Sequence, residues 1–401
     1  MVAARQESWK SVPIVRVQTG GVQLIAEIAN EWRQLCNESS DEEIFYRPEW
    51  AEAYLRAFDP GAELVLITAW AGAKLRGVLP LVRHRVVAFG LPMVKLTLPA
   101  NVHCLRAGLA INSGEEAEVL QILWHAAKNL QHWDVIDVSD VVENNGFNHL
   151  LALAKSDGFL TARRRTSQSL YLKFEASPGA QTPWMAGTRP KFRSHLRRAK
   201  RQLAEQGPLV LSHYDYADPA ALSKFYDLEA SGWKGANGTA IKSDPQTRQF
   251  YDLLAHAAER DHYLSLDFLE LNGKPIAGHF GFNCHGRYFL AKAGYDEAYK
   301  HHGPGHLLVN EILGESPQRG LHEFDFCGPA TWDESRWAST RRTNYRVFIF
   351  RNSLYGRLLY TLRISAWDRV KKILRRPQDD ESAPLELHSK PQAISKDQAD
   401  A

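Results

Sequence analysis

The chain predicts an α/β protein built from two similar halves, each a mixed sheet flanked by helices. Three observations lead there. Apolar residues alternate between a period of two and a period near 3.6 along most of the 401 residues. The order helix, hairpin, helix recurs, because EWAEAYLRAF, ELVLITAWAGAKLRGVLPLV and EVLQILWHAAKNL have counterparts in type, though hardly in identity, after residue 209. Finally, HHGPGHLLVNEIL sets two glycines around a proline where a loop gives way to a helix.

After a short polar leader, PIVRVQ reads as a strand and LIAEIANEWRQLCNES as one amphipathic helix. FYRPEWAEAYLRAF is a second helix, with Pro48 near its first turn, where a missing N–H does no harm. ELVLITAWAGAKLRGVLPLVRHRV gives a hairpin about a glycine-containing turn, GEEAEVLQILWHAAKNL a helix and WDVIDVSDV a strand. This first domain, residues 11–175, ends near SLYLKF. SPGAQTPWMAGTRP has the composition of a crossing between domains.

The second domain, residues 190–350, opens on the strongly basic helix KFRSHLRRAKRQLAEQG, closed by Gly207. LVLSHY is a strand, and ALSKFYDLEASGWKG and QTRQFYDLLAHAAERD are helices. YLSLDFLELNGKPIAGHFGFNCHGRYFLAKAGYD makes three strands turning at NGK and CHG, since Asn-Gly between apolar runs favours a tight hairpin. The helix GPGHLLVNEILGESPQRG, the strand HEFDFCG, a Trp-rich loop and the strand NYRVFIF complete it. Residues 353–376 predict a basic amphipathic helix, and 377–401 lack the apolar content to fold.

Apolar content of 44% and charged content of 24% are ordinary for a globular protein, and a net charge of +3 does not by itself call for nucleic acid. The cysteines, Cys36, Cys104, Cys284 and Cys327, show no zinc or disulfide spacing and read as free thiols. No signal peptide or bilayer-spanning run is evident, so a cytoplasmic protein is expected, at most peripheral to the inner membrane face.

A helix that starts at Gly303-Pro304-Gly305 aims unpaired N–H groups at whatever lies before it, and an anion there gains hydrogen bonds and the field of the helix end. Glycine lets a ligand reach the backbone. The spacing is neither that of a dinucleotide-binding fold nor that of a P-loop. It resembles the pyrophosphate loop of GNAT acyltransferases, Q/R-x-x-G-x-G/A, with Lys300-His301-His302-Gly303-Pro304-Gly305 and the following His306. The series LEASGWKGANGTAIKSD, LELNGKPIAGHFGF, AKAGYDEAYKHHGPGHLL and GLHEFDFCGP resembles the acetyltransferase domain of bacterial exopolysaccharide and cellulose production proteins, itself similar to Fem-type aminoacyl transferases. The resemblance implies tandem GNAT-like domains, the first degenerate because it lacks a Gly-x-Gly. It also implies acetyl-CoA or another acyl-CoA as co-substrate, an amine acceptor, and a thioester held near Lys292, Ala293 and Gly294.

Acyl transfer to an amine needs a positioned amine, a proton acceptor and stabilisation of negative charge on the carbonyl oxygen. Asp325, flanked by aromatics, is a base candidate if its pKa is raised, and otherwise an anchor for the Trp332 loop. Glu229, four residues before Trp233, shares a helix face with it and is a base or acceptor-binding candidate. Glu334 lies in a loop able to close over the site, and family likeness brings Tyr295 there too. Trp233, Lys234 and Trp332 suit a polar, sugar-like or peptide acceptor, such as an amino sugar. Adjacent His301 and His302 cannot readily share a metal, and none is expected. Arg193, Arg197, Lys200 and Arg201 form a positive stripe opposite the apolar Phe192, Leu196, Ala199 and Leu203. The stripe could meet tRNA, an anionic lipid or only water. Two rivals to acyl-CoA chemistry follow: a Fem-like enzyme fed by aminoacyl-tRNA, and a non-catalytic scaffold.

Overall fold

The computed structural model describes residues 13–365 apart from 40, 42, 144, 174–187, 332, 333 and 339, with Trp233 and Ser365 described for their backbone alone. The linker expected at 177–190 lies almost wholly outside the described residues, as do Trp332, the tail 377–401 and the basic segment beyond 365.

The first half of the chain runs β1 (Ile14–Gly20), α1 (Gln23–Glu27), α2 (Ala29–Glu38), α3 (Pro48–Phe58), β2 (Glu63–Ala71), β3 (Lys74–Ala88), β4 (Leu91–Thr97), β5 (Ala110–Ile111), α4 (Glu116–Lys128), β6 (Val135–Val142), α5 (Gly146–Ser156) and β7 (Leu160–Lys173). The second runs α6 (Pro190–Ala204), β8 (Leu209–Tyr214), α7 (Pro219–Glu229), α8 (Trp233–Ala236), α9 (Pro245–Arg260), β9 (Leu264–Leu271), β10 (Lys274–Cys284), β11 (Arg287–Tyr295), α10 (Pro304–Gly314), β12 (Glu323–Asp325), β13 (Thr340–Phe350) and α11 (Leu354–Tyr360). Among the described residues no helix is long and apolar enough to cross a membrane.

The hairpins form where left-handed backbone is easiest. Phe89-Gly90, Asn272-Gly273 and His285-Gly286 each place two successive residues at positive φ, the twist that two-residue turns between antiparallel strands require. The expected first helix is two, because the chain breaks at Ile28 (φ −124°). The helix expected through Trp233 likewise stops at Glu229 and restarts as α8.

Among the described residues all thirteen strands join one sheet, in the order β1-β2-β3-β4-β6-β13-β7-β12-β11-β10-β9-β8, with β5 beside β3. Inward from either edge the pairing reads the same: three antiparallel pairs, one parallel pair bridged by a helix, then an antiparallel pair. The last strand of each half has changed sides. Thus β7 follows β6 in the chain but lies against β12, and β13 follows β12 but lies against β6. They meet along the middle, from Thr340 opposite Tyr171 to Phe350 opposite Leu160. One apolar core spans the two halves: Trp50 of α3 meets Phe250 of α9 and Phe282 of β10 edge to face, at 5.9 and 5.5 Å.

Beneath this core lies an ionic cluster. Arg106 gives one nitrogen to Glu43 (3.0 and 3.1 Å) and the other to Asp325 (2.7 and 2.6 Å). Arg287 joins Glu43 (2.9 Å) to Glu323 (3.0 Å), and Arg342 joins Asp325 to Glu323 (both 2.6 Å). The Cys327 N–H also donates to Asp325 (2.8 Å). Burial alone would raise the Asp325 pKa, but Arg106 and Arg342 outweigh it and hold the carboxyl below its ordinary value.

Asp325→Asn should therefore cost about 3–5 kcal/mol in urea unfolding, since it leaves buried guanidinium groups short of a countercharge. A carboxylate whose folded pKa is depressed contributes fully above its unfolded value of about 3.9 and loses that contribution as pH falls through the folded value. Below about pH 4 the wild type should lose stability more steeply than the variant.

Candidate functional site

The short strand β12 opens the site. It pairs with β11 only from Arg287 to Phe289, after which the chain turns away and the Phe326 N–H bonds to Leu170 of β7. From Leu290 onward β11 keeps its partner β10 on one side and has no strand on the other, so backbone groups along that edge are open to a ligand, apart from carbonyls such as that of Ala293, which Lys234 already holds. A bulge sits at this point: Phe280 pairs with Lys292 and Gly281 with Leu290, leaving Ala291 as the extra residue.

Past Tyr295 the chain makes a 3₁₀ turn over Glu297–His302 and enters α10 through Gly303, whose φ of 59° is left-handed. Pro304 lacks an N–H and the first intrahelical bond comes from Leu307 to Gly303, so the N–H groups of Gly305 and His306 point out of the helix end. A Cβ built on Gly305 meets nothing within 4 Å. In front lies a cleft of about 460 Å³, lined by Tyr295, Lys300, Gly303, Gly305, Glu334 and Arg336 and by the buried Leu290, Val309, Phe326, Trp337 and His279. His195 of α6 also lines it; burial, then the charges of Arg336, His306, Arg198 and His302, push its pKa down. An open helix end, a side-chain-free approach and basic residues together suit a phosphate-bearing ligand with an apolar arm.

The residues expected to hold the donor divide by face. Of Lys292, Ala293 and Gly294 only Ala293 lines the cleft, because successive strand residues face opposite ways. The ammonium of Lys292 lies 5.7 Å from the ring centre of Tyr251, and burial, then the charge of Lys234, pushes its pKa down to about 8. Gly294 is small for α7, since a Cβ there would come within 2.6 Å of the Glu229 backbone. Lys300, Gly303, Pro304, Gly305 and His306 line the cleft, whereas His301 and His302 do not. His306 accepts the indole N–H of Trp337 at 3.0 Å.

Among the base candidates, Tyr295 and Glu334 reach the cleft, and Glu334 accepts the Thr331 N–H (2.9 Å). Asp325 requires a correction. Its candidacy as a base needed a raised pKa, and the arginines around it produce the reverse in a fully buried position away from the cleft. Glu229 is buried, with one oxygen 3.0 Å from the Lys234 ammonium and the other accepting the Ile241 N–H (2.9 Å). Its expected alignment with Trp233 also fails, because the two stand on separate helices. Lys234 donates to the carbonyl of Ala293 (3.2 Å), tying α8 to the strand behind the cleft.

The apolar face of α6 is as expected, with Phe192, Leu196, Ala199 and Leu203 buried. Along the basic stripe, Arg193 donates to Thr188 (3.0 Å), Lys200 pairs with Glu311 (2.8 Å) and Arg201 lies 3.7 Å from Glu205, while Arg197 is exposed. Sequence reading missed His195, His279, Arg336 and Trp337. Among the described residues no group of three or more His, Cys, Asp or Glu side chains is placed to share a metal ion.

Comparison with known proteins agrees with this geometry. Residues 190–337 match the model of the acetyltransferase (GNAT) domain. Among solved structures, FemX aligns over 87% of this chain and 99% of its own, at 12% identity and a TM-score of 0.59, a likeness of fold. A conserved protein of unknown function from Bacteroides thetaiotaomicron aligns over 84% of this chain and 100% of its own, at 14% identity and a TM-score of 0.48. A tandem GNAT protein of the clavulanic acid biosynthesis pathway aligns over 83% and 98%, at 13% identity and a TM-score of 0.43. No functionally curated protein matches the chain. Residues 190–337 thus form a GNAT-type acetyltransferase domain, and the chain that carries them is an acyltransferase whose co-substrate is an acyl-CoA.

Proposed function

We propose that the protein moves an acetyl or longer acyl group from acyl-CoA to the amine of an amino sugar or related small metabolite, as part of cell-envelope polysaccharide production. The observation that carries this reading is the cleft between the free edge of β11 and the open N-terminus of α10. When bound, the acyl-CoA supplies an activated carbonyl. The N–H groups of Gly305 and His306, with Lys300, hold its diphosphate. Backbone N–H groups of β11 beyond the bulge orient the carbonyl and stabilise charge on its oxygen as the amine adds. The carbon–nitrogen bond forms, the carbon–sulfur bond breaks, and the proton leaving nitrogen passes to Glu334, the carboxylate among the sequence candidates that lines the cleft.

We also take residues 11–175 and 190–350 as tandem copies of one GNAT-like unit. The sheet order supports this, and so does a contrast in charge. Helix α4 occupies in the first half the place of α10 in the second, yet begins Glu115, Glu116, with Glu118 in its first turn, which repels a phosphate. The first copy then serves to shape the acceptor side. Use of aminoacyl-tRNA as donor would draw on the α6 stripe, but three of its four named cations already have intramolecular partners.

Gly305→Val should fold with an unchanged Tm, because its Cβ meets open space, and should lose at least tenfold in calorimetric affinity for CoA and acetyl-CoA. Gly303→Val should instead lower Tm, because its left-handed backbone disfavours a branched side chain. Glu334→Gln should keep donor affinity while kcat falls on the order of 10²-fold or more across an amine panel. Heat from neither ligand with the wild type would overturn the acyl-CoA reading.

A further inference from the structure

His279 stands in the middle of β10 and is 2% exposed. It faces the same side of the sheet as the cleft and helps line it. Its Nδ1 is buried and has no hydrogen-bond partner. A buried ring nitrogen left unmatched costs on the order of 1–3 kcal/mol, and an aliphatic side chain in its place would cost nothing of the kind.

The surroundings show why the protein does not satisfy it. Across the sheet, His213, Asp267, His279 and Ala293 form one row of directly paired positions on β8, β9, β10 and β11. Asp267 is the anion beside His279, yet both its oxygens are taken: His213 (3.1 Å) and Arg319 (2.7 Å) on one, Ser265 (2.8 Å) and Tyr288 (2.7 Å) on the other. On its other flanks the imidazole meets the rings of Tyr288 and Phe324. What remains is the cleft, which the ring helps line beside the buried Leu290, Pro304, Val309, Phe326 and Trp337. Burial pushes the His279 pKa down to about 4 against the opposing charge of Asp267, so the ring is neutral at pH 7 and can accept or donate. The indole nitrogens of Trp50 and Trp133, also buried without a partner, do not line this cleft.

We propose that His279 is a donor-binding residue whose ring hydrogen-bonds the thioester end of the bound acyl-CoA, either an amide of the arm or the acyl group itself. This rests on the acyl-CoA reading above and adds to it a polar contact among the buried residues that line the cleft. The register places it there: Ala293 lies opposite, two residues beyond the bulge where β11 loses its β12 partner.

Full-length wild type, His279→Leu and His279→Asn should be titrated calorimetrically with CoA and with acetyl-CoA, beside Gly305→Val. The leucine variant should fold with a Tm no lower than wild type, as no internal hydrogen bond is removed, and bind donor at least tenfold more weakly. The asparagine variant should recover part of that loss. Equal weakening toward CoA and acetyl-CoA assigns the contact to the arm; weakening toward acetyl-CoA alone assigns it to the acyl group. In ¹⁵N-histidine spectra, the ring signals that disappear in the asparagine variant should shift when CoA is added to wild type. Wild-type affinity for both ligands in both variants, with Gly305→Val impaired, would overturn the role of His279 and leave the acyl-CoA reading standing. Failure of the wild type to bind either ligand would overturn both.

Discussion

The cluster of Arg106, Arg287 and Arg342 with Glu43, Glu323 and Asp325 decides where the sheet opens. Arg287 is the first residue of β11, and Glu323 opposite it the first of β12; their ion pair starts that parallel pairing. Asp325 is the last residue of β12, and Arg106 and Arg342 pin it toward the neighbouring strands. The chain beyond must follow β7 rather than β11, which leaves the edge of β11 bare from Leu290. Buried charge of this kind is weak as a source of stability and strong as a source of geometry, because any arrangement that separates the groups leaves charges unpaired in a dry interior.

Much of the fold was legible because the signals were local. Asn272-Gly273, Pro48 at the first turn of α3 and the apolar spacing of α6 each dictate structure within a few residues of themselves. The same logic shows the anion site at α10, where Gly303 supplies the left-handed turn and Gly305 the open approach. The strand β4 was missed because Gly90 and Pro92 look like a loop, although together with Phe89 the glycine makes a tight turn and the proline sits one residue into the strand.

The site's chemistry was less legible because it depends on distant residues. Aromatic neighbours suggested a raised pKa for Asp325, yet what governs it comes from positions 106 and 342. Lys292, Ala293 and Gly294 were named for their backbone groups, and adjacency in sequence says nothing of their side chains, which a pleated strand turns alternately, so that of the three only Ala293 lines the cleft. His279 carried no signal at all: one histidine between glycine and phenylalanine reads as core, and only the register of four strands sets its ring beside a cleft.

The exchange of β7 and β13 has a consequence for how the molecule is made. A ribosome releases β1 to β6 long before Thr340–Phe350 exists, yet β6 needs β13 as its neighbour. During synthesis the first half therefore carries an uncovered inner strand, and β7 has neither of its final partners until the second half follows. Maturation becomes a single late event, locked when the last strand slides between two that have been waiting for it, and a chain cut short before residue 340 is left with exposed strand edges that favour aggregation.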